Sequence, residues 1–452
     1  MMMNKVKIVL YGSICIAYFV VLHLIFPSTW PSITKDALDD FFSNPLGYWW
    51  VIFPMIPLAM LFGLIIYYGI HFLASFGSGF KAKDPYTPKI TIMIATKNEK
   101  ALLERTLNSI IKSEYPKENI QLIIVTSGST DDSNNYCQTF AQENEIKDIE
   151  ILSDDLPKKG KPPALNHGLK HVKNDILILY DSGCILQQNT LRNLVAPLKN
   201  DKIKVVLGPV LVKNWKTNSL TKGIFLDYGV VSGGGLLAEV KNRLGSSAYL
   251  YGRNFAIRKE TLDKYGGFNE DSMTEDLYLS VLLNLDGIPI YYSPKAKVYE
   301  YVPSTWDILK QQRTRWLAGY TFDAPQLMKM KNEERDGAKI IIARNMTMSF
   351  MGNMDSWMPI IIVVSIIYFL TGEFYLLCWN LSLLFFQFGY LFNIIRKYAD
   401  KHYSLLLFFP LSGYIHLYMF FRQFALPKDL SWEKTPMLLE RQEEEVKALS
   451  NQ

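Results

Sequence analysis

The sequence predicts an α/β domain built on a parallel sheet and carried between membrane-spanning segments, and two observations lead there. From Lys89 to about Ser182, short β-branched apolar runs alternate with amphipathic helical stretches, whereas the long apolar runs of this 452-residue chain lie at its two ends. Alternation of strand and helix predicts parallel strands with helices on both faces. Apolar runs approaching twenty residues predict spans.

The first such run, Ile8 to Phe26, follows Lys5 and Lys7. Its charge order is that of a secretory signal, but it is long for a signal core and no small-x-small site follows, so an uncleaved anchor is expected. A second run extends from Trp49 to Phe72. The loop between them sets Lys35 against Asp36, Asp39 and Asp40, while Lys81, Lys83 and Lys89 follow the second run. That bias places the N-terminus and the central domain in the cytoplasm.

Within the central domain, Ile90 to Ala95, Gln121 to Val125, Ile149 to Leu152 and Ile176 to Tyr180 read as strands. Helices are expected at Ala101 to Ile111, Asp131 to Gln142 and Pro163 to Val172. In such sheets ligands bind beyond the carboxyl ends of the strands, where Thr96 to Glu99, Ser127 to Ser129 and Asp181 to Gly183 fall. After Val205 the connections lengthen. A strand is expected at Tyr249 to Arg258, a helix from Thr274, and strands at Ile288 to Tyr292 and Ala296 to Tyr301. Ser304-x-x-Asp307 then has the pattern of a helix cap.

Toward the C-terminus, Glu333 to Met351 reads as an interfacial amphipathic helix. Met358 to Leu370 and Phe374 to Ile394 read as paired spans joined at Thr371 to Glu373, with Arg396, Lys397 and Lys401 beyond them. The last run, Leu405 to Phe421, is interrupted by Pro410, Ser412 and Gly413. Arg422, Lys428 and Lys434 favour a cytosolic tail, so either this run is re-entrant or the amphipathic stretch also crosses. The expected organisation is thus two spans in residues 1–80, a catalytic domain in 81–325, interfacial and spanning helices in 326–425 and a cytosolic tail in 426–452.

A net charge of +5 without interleaved basic and aromatic residues gives no reason to expect nucleic acid. The four cysteines, Cys15, Cys137, Cys184 and Cys378, are scattered and suggest neither a disulfide framework nor a zinc site.

Several residues carry candidate chemistry beside a plainer explanation. Asp276, after Thr274 and Glu275, suits a general base that deprotonates an attacking hydroxyl, yet acids also favour a first helical turn for its dipole. Asp181, in Asp181-Ser182-Gly183, suits a divalent cation bridging a diphosphate, or simply a turn. Lys158 and Lys159 read as solvated, and Lys161, at the mouth of a helix, as the phosphate contact. Gly252-Arg253-Asn254 opens a strand and is otherwise a turn. His167 has no partners at metal-ligand spacing. Gln312, Arg315 and Trp316 occupy i, i+3 and i+4 of a helix, so an amide, a cation and an indole share one face. Such a face suits phosphate beside a sugar ring, or an interfacial segment.

The order of these pieces is informative. Ala95-Thr96-Lys97-Asn98-Glu99, Gly160-Lys161-Pro162-Pro163-Ala164-Leu165-Asn166-His167-Gly168-Leu169, Asp181-Ser182-Gly183, Thr274-Glu275-Asp276 and Gln312-x-x-Arg315-Trp316 resemble the membrane-embedded inverting glycosyltransferases of family 2, which include cellulose, chitin and hyaluronan synthases. Asp-Ser-Gly is similar to the corresponding motif of ceramide glucosyltransferases. The resemblance implies a GT-A fold flanked by transmembrane helices, a nucleotide-sugar donor with UDP-sugars first, and Mg²⁺ or Mn²⁺. It makes Asp276 the base and Asp181 the metal residue. Thr96, Asn98, Glu99, Ser127, Lys161 and Asp181 border the donor, and Glu275, Gln312, Arg315, Trp316 and Arg253 the acceptor and diphosphate.

Two positions depart from the family pattern: Ser127 stands where an acid commonly contacts the base, and Gly183 where a second acid completes Asp-x-Asp. Asp131 and Asp132 are the nearest acids to Ser127. The expected activity is extension of a cell-surface polysaccharide at the cytosolic face of the cell membrane, in contact with membrane lipids. Transfer to a membrane lipid, or an inactive nucleotide-sugar-binding homologue, are the alternatives.

Overall fold

The structure is a computed structural model that describes residues 52–76, 86–153, 156–327 and 354–422, with short pieces at 13, 39–40, 42–47 and 425–426. The apolar run at Ile8 to Phe26 apart from Ser13, Lys35, Asp36, Lys81, Lys83, the stretch Glu333 to Met351 and the tail with Lys428 and Lys434 lie outside the described residues.

Helix α1 (Ile52–Ser75) precedes the domain. The first half of the domain is β1 (Ile90–Ala95), α2 (Lys100–Ile111), β2 (Ile120–Val125), α3 (Ser133–Glu143), β3 (Asp148–Leu152), α4 (Lys161–Leu169) and β4 (Ile176–Asp181). These strands pair in parallel in the order β3-β2-β1-β4. β1, β2 and β4 are buried almost throughout, which explains their unbroken apolar sequences.

The second half holds β5 (Ile185–Leu186), α5 (Thr190–Val195), β6 (Val205–Leu207), β7 (Val210–Val212), α6 (Ser219–Asp227), α7 (Leu236–Arg243), β8 (Phe255–Arg258), α8 (Lys259–Asp263), α9 (Glu275–Leu285), β9 (Ile290–Tyr292) and β10 (Val298–Glu300). Strands β8, β6 and β9 complete a seven-stranded sheet, while β5, β10 and β7 form a small second sheet. The sheet is mixed rather than wholly parallel, because β8 runs antiparallel to both β4 and β6.

The strand expected from Tyr249 begins only at Phe255, since Gly252 (φ 70°) and Asn254 (φ 56°) interrupt the extended backbone. Asn254 compensates: its side-chain amide donates to the Pro209 and Ala296 carbonyls at 2.9 and 2.8 Å.

Side-chain alternation along β1 separates two cores. Ile92 and Ile94 join α2, α1 and the C-terminal helices, whereas Met93 joins α4 and α9 on the opposite face. The long helix α10 (Trp306–Leu327) follows. The capping pattern at Ser304 is not used: α10 begins two residues later, the Ser304 carbonyl accepts from Asn218, and Asp307 is exposed beside Lys310. A capping box is instead formed on α6 by Asn218 and Thr221.

Helices α11 (Met354–Thr371), α12 (Phe374–Tyr398) and α13 (Phe409–Arg422) end the described chain. α12 packs on α1 and α11, and α13 on α6 and α11. Ile362, Val363, Ile366, Ile367, Phe385 and Phe392 leave an apolar outer surface. Among the described residues one helix, Leu376–Tyr398, is long and apolar enough to cross a membrane by length and composition. α13, at about 1.5 Å per residue, is shorter than a bilayer core is thick.

Candidate active site

The cleft lies where β1, β2 and β4 end in parallel register, with Ala95 beside both Val125 and Asp181. Asn98 adopts φ 54° and its side-chain oxygen accepts from the Thr130 and Asp131 amides at 2.7 and 3.3 Å. It therefore ties the first loop to the second. The Glu99 carboxylate accepts hydrogen bonds from Ser182 and, at 3.4 Å, from Thr96, joining the first loop to the third. Thr96, Asn98 and Glu99 are thus brought together, and their hydrogen bonds tie the three loops at the strand ends.

Ser127 also lies there, and its buried hydroxyl has no hydrogen-bond partner among the described residues. Such an atom is left for a ligand or water. Asp132 pairs with the Lys100 ammonium at 2.5 Å, and Asp131 accepts from the Lys100 amide, so both nearby acids serve the fold.

Opposite stands the start of α4. Lys161 follows Gly160 (φ 133°), and its ammonium lies 2.8 Å from Asp181, 2.9 Å from Glu275 and 3.0 Å from the Gly252 carbonyl. Burial works against this charge, but Asp181 and Glu275 outweigh it and hold the ammonium above its ordinary range. Lys158 instead pairs at the surface with Asp271. A side chain at Gly252 would be strained, because φ is 70° and a Cβ would lie 3.3 Å from both Asp276 and the Lys161 ammonium.

Asp276, in the first turn of α9, is pushed from 3.8 up to about 7 by burial and by the Glu275 charge, with Lys161 and Arg253 opposing. A carboxyl near 7 suits proton abstraction at neutral pH. Its turn is anchored by Asp323 of α10, only 2% exposed. The Asp323 carboxylate accepts from Ser272 Oγ (2.7 Å), the Met273 amide (3.1 Å), the Thr274 amide (3.0 Å) and Thr274 Oγ1 (2.5 Å). Asp323 stands in none of the sequence motifs. Its one signal was helical spacing, seven residues after Trp316 on the same face.

Along α10, Gln312 is buried, and its side-chain oxygen and Arg315 Nε lack partners among the described residues. Burial lowers the Arg315 guanidinium, while Asp181, Glu275 and Glu99 pull it back, so Arg315 senses the cleft carboxylates. Trp316 differs from expectation, because one ring face holds the Arg313 guanidinium 4.3 Å from its centroid.

Arg253 also departs from expectation. Its fork is taken by Glu300, at 2.6 Å from both Nε and Nη2, and its Nη1 donates to the Tyr251 carbonyl. Its fork is thus engaged within the protein and not open toward the site.

Gly183 adopts φ 96° and donates its amide to Thr106 Oγ1 at 2.8 Å, with Leu102 3.5 Å from a would-be Cβ. A second acid there would be strained and directed at leucine. Among the described residues no three His, Cys, Asp or Glu side chains form a metal cluster. Asp181, about one third exposed and paired with Lys161 through one oxygen, is the carboxylate that would hold a divalent cation.

A family model described as "Glycosyltransferase like family 2" matches residues 88–319. The probable glycosyltransferase YdaM of Bacillus subtilis is 29% identical over 236 residues, covering 51% of this chain and 55% of that protein. A poly-beta-1,6-N-acetyl-D-glucosamine synthase of Staphylococcus aureus is 29% identical over 231 residues, covering 51% and 54%. The chain thus spans about half the length of the curated relatives it matches. Among solved structures, the mannosyltransferase PcManGT from Pyrobaculum calidifontis, in complex with GDP-Man and Mn²⁺, superposes with a TM-score of 0.52 at 19% identity, covering 80% of this chain and 97% of that one. At that identity the likeness speaks for the fold alone. The family match over half the chain, the mixed sheet and this structural likeness together show that the chain belongs to glycosyltransferase family 2 and carries a GT-A domain.

Proposed function

We propose that this glycosyltransferase moves a sugar from a nucleotide-sugar, a UDP-sugar in the first instance, onto a growing cell-surface polysaccharide, with inversion, at the cytosolic face of a membrane. The observation that carries the reading is the cluster of Asp276, Glu275, Lys161 and Asp181, in which one carboxyl is held near 7 beside a fixed cation. The poly-beta-1,6-N-acetyl-D-glucosamine synthase of Staphylococcus aureus among the relatives supports a polymer product. The apolar outer surface of α11 and α12 supports the membrane.

The acceptor hydroxyl loses its proton to Asp276 as its oxygen attacks the anomeric carbon. The bond from that carbon to the diphosphate oxygen breaks on the opposite face, and its electron pair leaves with the nucleoside diphosphate. Lys161 and Arg315 face the charge that develops there, where fixed cations in a poorly solvated cleft stabilise most. A divalent cation on Asp181 would supply further neutralisation of the diphosphate. Glu275 keeps Lys161 in place and keeps the Asp276 carboxyl high.

The test is a donor screen with purified protein and labelled uridine and guanosine sugars, UDP-N-acetylglucosamine first, in Mg²⁺ or Mn²⁺. Release of nucleoside diphosphate together with a polymeric product is expected. Chloroform-soluble product bearing one sugar refutes the polymer, and no turnover with any donor refutes the activity.

A further inference from the structure

Arg313 is fully buried on α10, in the middle of the motif that carries Gln312, Arg315 and Trp316, yet it does not belong to the cleft described above. Its Nη2 lies 2.5 Å from Asp227 Oδ2, and both side chains are essentially without solvent exposure. Its Nη1 donates to Ser232 Oγ at 3.0 Å, and Ser232 donates to the other Asp227 oxygen at 2.8 Å. That same oxygen lies 3.0 Å from Nε2 of His416, which belongs to the apolar helix α13. The guanidinium plane sits over the Trp316 ring. α13 also touches α10 directly, Trp306 against Tyr414 and Arg422 against Thr314.

We propose that Asp227 and Arg313 are positioning residues for acceptor use, and that α13, through His416, helps to set the place of Trp316. A buried ion pair is poor evidence for stability, since desolvation offsets most of its attraction. It does fix direction: a planar fork held on one side by a carboxylate can meet an indole in few ways. The chain of contacts from His416 to Asp227 to Arg313 to Trp316 therefore couples a helix outside the GT-A domain to the acceptor end of the cleft.

The proposal rests on the reading of this site as a glycosyl-transfer centre. The experiment follows labelled UDP-N-acetylglucosamine, or whichever donor the screen selects, and measures two quantities: nucleoside diphosphate released and sugar incorporated. Their ratio reports whether the activated sugar reaches acceptor or water, and loss of folded protein leaves it unchanged. Arg313→Gln with Asp227→Asn removes both buried charges together, an exchange that preserves stability far better than removing one. The double variant should keep its melting temperature and nucleoside diphosphate affinity, while incorporation per diphosphate released falls by ~10-fold, as expected for a displaced acceptor. His416→Phe, which breaks only the contact of Asp227 with α13, should lower the ratio in the same direction and decides alone if the double variant fails to fold. A wild-type ratio in either folded variant overturns the proposal. Absence of turnover in the wild type would instead refute the proposed function.

Discussion

Asp276→Asn separates the chemistry of the cleft from its stability. The Asp276 carboxyl is raised from 3.8 to about 7, first by burial and then by Glu275, against Lys161. The folded protein therefore binds this proton more tightly than the unfolded chain does. Stability from the group is full below about pH 3.8 and is lost as pH rises through 7. Three pH units correspond to a ceiling of about 4 kcal/mol, and because Asp276 keeps some contact with solvent the realised value lies below it. Asparagine cannot ionise, so the variant should melt higher than wild type at pH 8, with the difference shrinking at lower pH and vanishing below 4. Activity should move the opposite way. Loss of a general base costs about 10²- to 10⁴-fold. In the wild type, kcat/KM should rise about tenfold per pH unit up to about 7 and then level. The assay is nucleoside diphosphate release across pH 5–9, paired with thermal melting of the same samples. A variant that turns over like wild type, or that is destabilised at pH 8, refutes the assignment of Asp276 as a buried base.

Other substitutions probe the rest of the cleft. Lys161→Met removes the cation that lowers Asp276, so the midpoint of the pH profile should move up by about one unit or more, and calorimetry should show weaker nucleoside diphosphate binding. Gly183→Asp restores the spacing of two acids but places a Cβ at φ 96° beside Leu102, so melting should reveal a loss of about 1–3 kcal/mol, with no gain in Mn²⁺ affinity by titration. Asp323→Ala leaves the Ser272 to Thr274 turn without its acceptor, so kcat should fall by roughly 10²-fold while diphosphate binding by calorimetry persists.

What the sequence by itself determined was the order of the pieces. β1, β2 and β4 announce themselves as continuous apolar runs, because both faces of a central parallel strand are covered. Their ends then place Asn98, Ser127 and Asp181 in one cleft, and helical spacing places Gln312 and Arg315 together. Local chemistry carries that information, so one chain suffices. Only the tertiary structure decided the partners. It brought Lys161 between Asp181 and Glu275, gave Arg253 to Glu300, gave one face of Trp316 to Arg313, and anchored the turn before Asp276 on Asp323, 49 residues beyond Thr274. These contacts join segments far apart in the chain and replace hydration that each charge would otherwise keep. Which partner replaces it depends on how the elements pack, and periodicity along a single element does not encode that.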